Sequence, residues 1–125
     1  MKIGFIGLGN VGAKLAGSFL RNGMDLSVHD LDPAAVAGFV ERGAQDGGSP
    51  VDMMRDCDVV ITCLPSPAAC AAVVESMLSA VGPGKIWIEM STTDAEEVKR
   101  LAGEVTTRGG QAAEAPVSGG CHRAA

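Results

Sequence analysis

Three glycines near the start of the chain, Gly7-Leu8-Gly9-Asn10-Val11-Gly12, constrain the fold more than any other feature. They follow a short apolar run, "KIGFIG" from Lys2 to Gly7, and open a helical pattern that runs from about Asn10 to Asn22 and closes at Gly23. Strand, tight turn and helix in that order explain the spacing: Gly7 permits the turn, Gly9 lets a pyrophosphate approach the backbone, and Gly12 lets helix and strand pack closely. The first N–H groups of the helix, with its partial positive charge, then face the anion. Alone, such a loop is weak evidence, because glycine-rich turns also serve packing and methyltransferases use similar ones.

The second strand strengthens the reading. "DLSVHD", Asp25 to Asp30, ends on an acid about 20 residues beyond the loop, the place from which a carboxylate reaches an adenosine ribose. Asp30 would accept hydrogen bonds from the ribose hydroxyls and repel a 2′-phosphate, so NAD is expected rather than NADP. Asp32 competes for the role, but its position before Pro33 suits it to capping a helix.

Strand-like and helix-like stretches alternate to the end, giving an α/β class with a doubly wound, mostly parallel sheet of the Rossmann type. "CDVVITCLP" (Cys57 to Pro65), "GKIWIEMS" (Gly84 to Ser91) and the weaker "GQAAEAPV" (Gly110 to Val117) read as further strands. Ser66-Pro67 repeats the cap-and-proline device, and Ser49-Pro50-Val51-Asp52 and Asp94-Ala95-Glu96-Glu97 resemble capping boxes. Residues 1–125 contain no repeat or linker and are read as one domain.

In a doubly wound sheet the ligand lies beyond the carboxyl ends of the strands. That singles out Leu64-Pro65, Ser91-Thr92-Thr93 and Ser118-Gly119-Gly120. Leu64 and Pro65 offer apolar contact, Thr92 a hydroxyl, and Ser118 a hydroxyl among exposed N–H groups suited to an anion. Each taken singly is also ordinary turn chemistry.

Composition excludes several classes. A net charge of −5 with scattered Lys and Arg supplies no concentrated basic face, so no nucleic-acid partner is expected. No apolar run approaches the roughly 18 residues of a membrane span. The glycine-interrupted start is a poor signal peptide, so the expected location is the cytoplasm. Four cysteines, Cys57, Cys63, Cys70 and Cys121, form no CxxC pair and no cluster with the two histidines, so buried free thiols are expected and no metal site.

Together "IGFIGLGNVGAKLA", "DVVITCLPSP", "IEMSTTD" and "EAPVSGG" are similar, in order and spacing, to the β-hydroxyacid dehydrogenases, over essentially the whole chain. That family includes 3-hydroxyisobutyrate dehydrogenases and tartronate semialdehyde reductases and is related more distantly to 6-phosphogluconate dehydrogenase. The resemblance implies NAD-linked hydride transfer to or from a small hydroxy acid or semialdehyde carrying a carboxylate. It places Gly7, Gly9, Gly12 and Asp30, with Leu64, Pro65 and Thr92, against the cofactor. Ser118, Gly119 and Gly120 match the turn that holds the substrate carboxylate.

Two departures stand out. Cys121-His122-Arg123 replaces the family's usual glycine-alanine continuation, and Ala69 cannot supply the polar cofactor contact that some members place there. The family's general acid/base is a lysine on a long helix after this domain. None of Lys2, Lys14, Lys85 or Lys99 matches it. The lysine, the helical closing domain and most of a homo-oligomeric interface are therefore expected beyond Ala125. Two alternatives stay open: a stand-alone nucleotide-binding or interaction module without catalysis, and the corresponding part of an imine reductase or 6-phosphogluconate dehydrogenase-like enzyme.

Overall fold

The computed structural model describes residues 1–90 and 94–115. Six strands, β1 (Lys2–Ile6), β2 (Asp25–His29), β3 (Gln45–Asp46), β4 (Val59–Thr62), β5 (Ile86–Glu89) and β6 (Gln111–Glu114), form one sheet in the order β3-β2-β1-β4-β5-β6. Every pairing is parallel. Five helices connect them: α1 (Asn10–Arg21), α2 (Pro33–Glu41), α3 (Pro50–Asp56), α4 (Pro67–Met77), which runs into a 3-10 turn at Leu78–Ala80, and α5 (Ala95–Thr107). This is the doubly wound Rossmann arrangement, and its order reverses between β1 and β4.

Strand alternation divides the apolar residues between two faces. Ile3 and Phe5 of β1, Leu26 and Val28 of β2, and Val59 and Ile61 of β4 pack with Ala16 of α1 and with Val36 and Phe39 of α2. On the other face Ile6, Val60 and Trp87 meet Met53 and Met54 of α3, Val74 and Met77 of α4, and Leu101 and Val105 of α5. β1 and β4 carry buried apolar side chains on both faces, which is why they read as continuous apolar runs in the sequence.

The local signals act as their chemistry requires. Asp32 accepts from the Ala34 N–H, Ser66 from Ala69, and Asp94 from Glu96 and Glu97. Ser49 and Asp52 form a reciprocal capping box. Gly23, at φ +72°, closes α1 with the Met24 N–H on the Phe19 carbonyl and its own N–H on Leu20. Strand β3 has no counterpart in the sequence reading. It has only two residues, both exposed, and pairs only along the edge of β2, so no apolar alternation marks it.

Candidate functional site

At the point where the strand order reverses, the ends of β1, β2, β4 and β5 surround an open cleft of about 810 Å³, within the range of small-molecule and cofactor sites. The glycine turn forms its floor. Gly7 sits at φ +101°, and a Cβ there would lie 2.1 Å from the Cys63 carbonyl oxygen. A Cβ on Gly12 would lie 1.9 Å from the carbonyl oxygen of Gly7, so only glycine lets α1 start so close to β1. Gly9 differs: its backbone is ordinary (φ −68°, ψ −168°), and a Cβ would meet no atom of the described residues within 4 Å. None of the described residues requires glycine there.

Gly9 is also the N-cap of α1 and brings no side-chain acceptor, whereas α2, α3, α4 and α5 each have one. The opening N–H groups of α1 are thus left to whatever enters the cleft. Asp30 fixes the loop from the side. Its Oδ2 accepts the Leu8 N–H at 2.6 Å and its Oδ1 the Asp32 N–H at 2.8 Å, while the Gly7 N–H reaches the His29 carbonyl at 3.0 Å. Each carboxylate oxygen retains acceptor capacity beyond one bond, so Asp30 can still take a ribose hydroxyl. Among the described residues lining the cleft, none is Lys or Arg.

The opposite wall comes from Cys63, Leu64 and Pro65 after β4, Met90 after β5, and one face of α4 through Ala69, Val73 and Ser76. Behind it is a buried polar cluster. Thr62 Oγ1 accepts from the Trp87 indole N–H at 2.9 Å and donates to Glu89 Oε2 at 2.9 Å; the Cys70 thiol donates to the same oxygen at 2.5 Å. Thr62, Trp87 and Glu89 are wholly buried.

The thiols differ in access. Cys57 and Cys70 are buried as the sequence suggests, whereas Cys63 is half-buried and faces the cleft. Burial, and then the charge of Glu89, pushes the Cys63 thiol above its ordinary range. Alkylation of Cys63 by iodoacetamide is therefore expected to stay slow at pH 8 and to accelerate only above the usual thiol range. A cleft ligand should slow it further, as peptide mass spectrometry of the Cys63 fragment would show; rapid labelling at pH 8 would contradict the buried setting.

Of the residues singled out from sequence, Gly7, Gly9, Asn10, Val11, Gly12, Asp30, Leu64 and Pro65 all line the cleft. Leu8 does not: its side chain is in the core and its N–H is taken by Asp30, so it anchors the loop instead. Thr92, Ser118, Gly119 and Gly120 lie outside the described residues. Sequence reading passed over Cys63 and Met90, although both stand at strand ends, and over Val73 and Ser76, whose spacing from Ala69 places them on one helix face. Lys2 and Lys85 begin β1 and lead into β5, at the sheet edge away from the cleft, where Lys85 Nζ binds the carbonyls of Arg55 and Cys57.

Among the described residues, no helix is long and apolar enough to cross a membrane, and no three metal-ligating side chains cluster.

Comparison with known proteins agrees with this geometry. Residues 2–125 match the family model of the NAD binding domain of 6-phosphogluconate dehydrogenase. The chain is 36% identical over 121 residues to cytokine-like nuclear factor N-PAC of Homo sapiens, covering 94% of this chain and 22% of that protein. It is 38% identical over 121 residues to the mitochondrial 3-hydroxyisobutyrate dehydrogenase of Rattus norvegicus, covering 94% of this chain and 36% of the relative. The structure of Mycobacterium tuberculosis 3-hydroxyisobutyrate dehydrogenase with L-serine superimposes with a TM-score of 0.89 at 29% identity, covering 97% of this chain and 42% of the other. The chain thus spans well under half the length of each of these proteins. With its strand order, its glycine turn and a family match over nearly its whole length, the chain belongs to the NAD-binding domains of the 6-phosphogluconate dehydrogenase family, of the kind that β-hydroxyacid dehydrogenases carry.

Proposed function

We propose that the cleft holds NAD and that these residues form the cofactor-binding part of an oxidoreductase acting on a small 3-hydroxy acid or its semialdehyde. The observation that carries the reading is Gly9, a glycine that the fold itself does not need, at the one place where a pyrophosphate would pass over the uncapped start of α1. Bound there, NAD supplies the hydride acceptor. The chain's own part is to bind and orient it: α1 takes the pyrophosphate, Asp30 the adenosine ribose, and the Leu64-Pro65 and Met90 wall packs the other half. Thr92 would extend that wall, and Ser118, Gly119 and Gly120 would grip the substrate carboxylate.

Cofactor choice follows from charge. Asp30 stands at the ribose end, and no Lys or Arg among the described lining residues offsets a 2′-phosphate. Asp30→Ala is expected to lower NADH affinity by about tenfold or more and NADPH affinity less, in calorimetric titrations of the two. Some loss for both is expected, because Asp30 also holds the Leu8 and Asp32 amides, so the ratio is the readout. An unchanged ratio would remove Asp30 from cofactor discrimination.

A second reading, a nucleotide-binding module without catalysis, is favoured by one observation: the chain is 36% identical to cytokine-like nuclear factor N-PAC, whose name is not that of a dehydrogenase. The two separate on a single assay. NADH oxidation with small semialdehydes by the full-length protein supports the enzyme; NADH binding without turnover supports the module.

A further inference from the structure

The buried cluster behind the cleft wall is assembled from the elements that form that wall. Thr62 ends β4 and precedes Cys63; Cys70 lies in the first turns of α4 and follows Ala69; Glu89 ends β5 and precedes Met90. Cys63, Ala69 and Met90 all line the cleft. Three pieces of one wall, from β4, α4 and β5, are therefore joined from behind through a single carboxylate.

The direction of each bond is fixed by chemistry. The Trp87 indole can only donate, so Thr62 accepts from it, and the Thr62 hydroxyl reaches Glu89 at 2.9 Å with Cys70 as a further neighbour. Cys70 stays a thiol, since burial and its bond to Glu89 push it well above the ordinary thiol range, and its proton also goes to Glu89. Burying a carboxylate is costly unless several donors converge on it. Here two side chains converge on one oxygen, and each belongs to a different element. A leucine would fill the space without uniting those elements.

We propose that Glu89 is a positioning residue: through Thr62 and Cys70 it sets the relative placement of Cys63, Ala69 and Met90, and thereby the part of the cleft that seats the half of the dinucleotide beyond the pyrophosphate. This rests on the cofactor reading above. On this reading the adenosine half lies on the other side of the glycine turn, against Asp30, which is bonded to Leu8 and Asp32. Loss of Glu89 should therefore be felt by the whole dinucleotide and not by its adenosine diphosphate portion.

The test is calorimetric titration of the protein with NADH and with ADP, using Glu89→Gln, Cys70→Ala and Cys70→Ser. Gln keeps the shape and removes the charge that strengthens both bonds. Glu89→Gln and Cys70→Ala are expected to lower NADH affinity by about fivefold or more while ADP affinity changes less than about twofold. Cys70→Ser, which keeps a donor, should restore NADH affinity. A merely structural role would lower both ligands together or neither, and would not distinguish Ser from Ala; any of these results overturns the proposal. Should Glu89→Gln fail to fold, the Cys70 pair decides. Failure of the unaltered protein to bind either ligand would instead overturn the cofactor reading, and this inference with it.

Discussion

Gly9→Ala is expected to lower NADH affinity by at least about tenfold with the melting temperature nearly unchanged. The backbone at Gly9 is one that alanine adopts freely, and its Cβ would meet no atom of the described residues within 4 Å. Alanine restricts the unfolded chain, which stabilises by about 0.4–1 kcal/mol, and is a poorer N-cap than glycine by about 0.5–1 kcal/mol. These nearly cancel. On the proposed cofactor reading, the methyl would occupy the space through which a phosphate reaches the first N–H groups of α1. Gly12→Ala makes the contrast: its Cβ would lie 1.9 Å from the Gly7 carbonyl oxygen, so backbone must shift, and a destabilisation of about 1–3 kcal/mol is expected. Paired thermal melts and calorimetric titrations separate the two glycines. If Gly9→Ala binds NADH as well as the unaltered protein, the pyrophosphate does not pass over Gly9, and the central observation behind the proposed function is lost.

The largest expected loss of stability is at Trp87. It is wholly buried in β5 at the centre of the face covered by α3, α4 and α5. Trp87→Ala should cost about 3–5 kcal/mol, a large part of the roughly 5–15 kcal/mol by which a domain is held folded. Beyond the cavity, it removes the indole N–H from Thr62 and frees the hydroxyl to turn away from Glu89. Trp87→Phe keeps most of the packing and removes only the donor, so it should cost less, about 1–3 kcal/mol. Urea unfolding of the three proteins checks the order. Equal losses for Phe and Ala would mean that the hydrogen bond, and not the ring volume, carries Trp87's contribution.

Much of this fold was legible because its signals are local. The turn at Gly7, the helix stop at Gly23 and the caps at Asp32, Ser49, Ser66 and Asp94 act within a few residues of themselves, so the sequence carries both halves of each interaction. β1 and β4 announced themselves through apolar runs that only a doubly covered strand can bury. β3 was invisible because two exposed residues on an edge have no pattern to show. In the site, Gly9, Asp30 and Leu64 were found from motif spacing and from the rule that ligands gather at strand ends.

Leu8 went the other way. Its place inside the glycine motif suggested the cofactor, but which way its side chain and N–H point depends on β2 coming alongside β1, which brings Asp30 within 2.6 Å of that amide. The Glu89 cluster is the plainest case. An acid at the end of an apolar strand reads as a solvated terminus, and its burial depends on α4 folding back across β4 and β5. Sequence alone determined the α/β class, the glycine turn and the acid beside it, because those depend on backbone geometry and short-range bonds. Only the tertiary structure shows that Gly9 borders open space among the described residues and that Thr62 and Cys70 both donate to Glu89. Both statements depend on what lies across space from a residue: open cleft in one case, and two converging donors in the other.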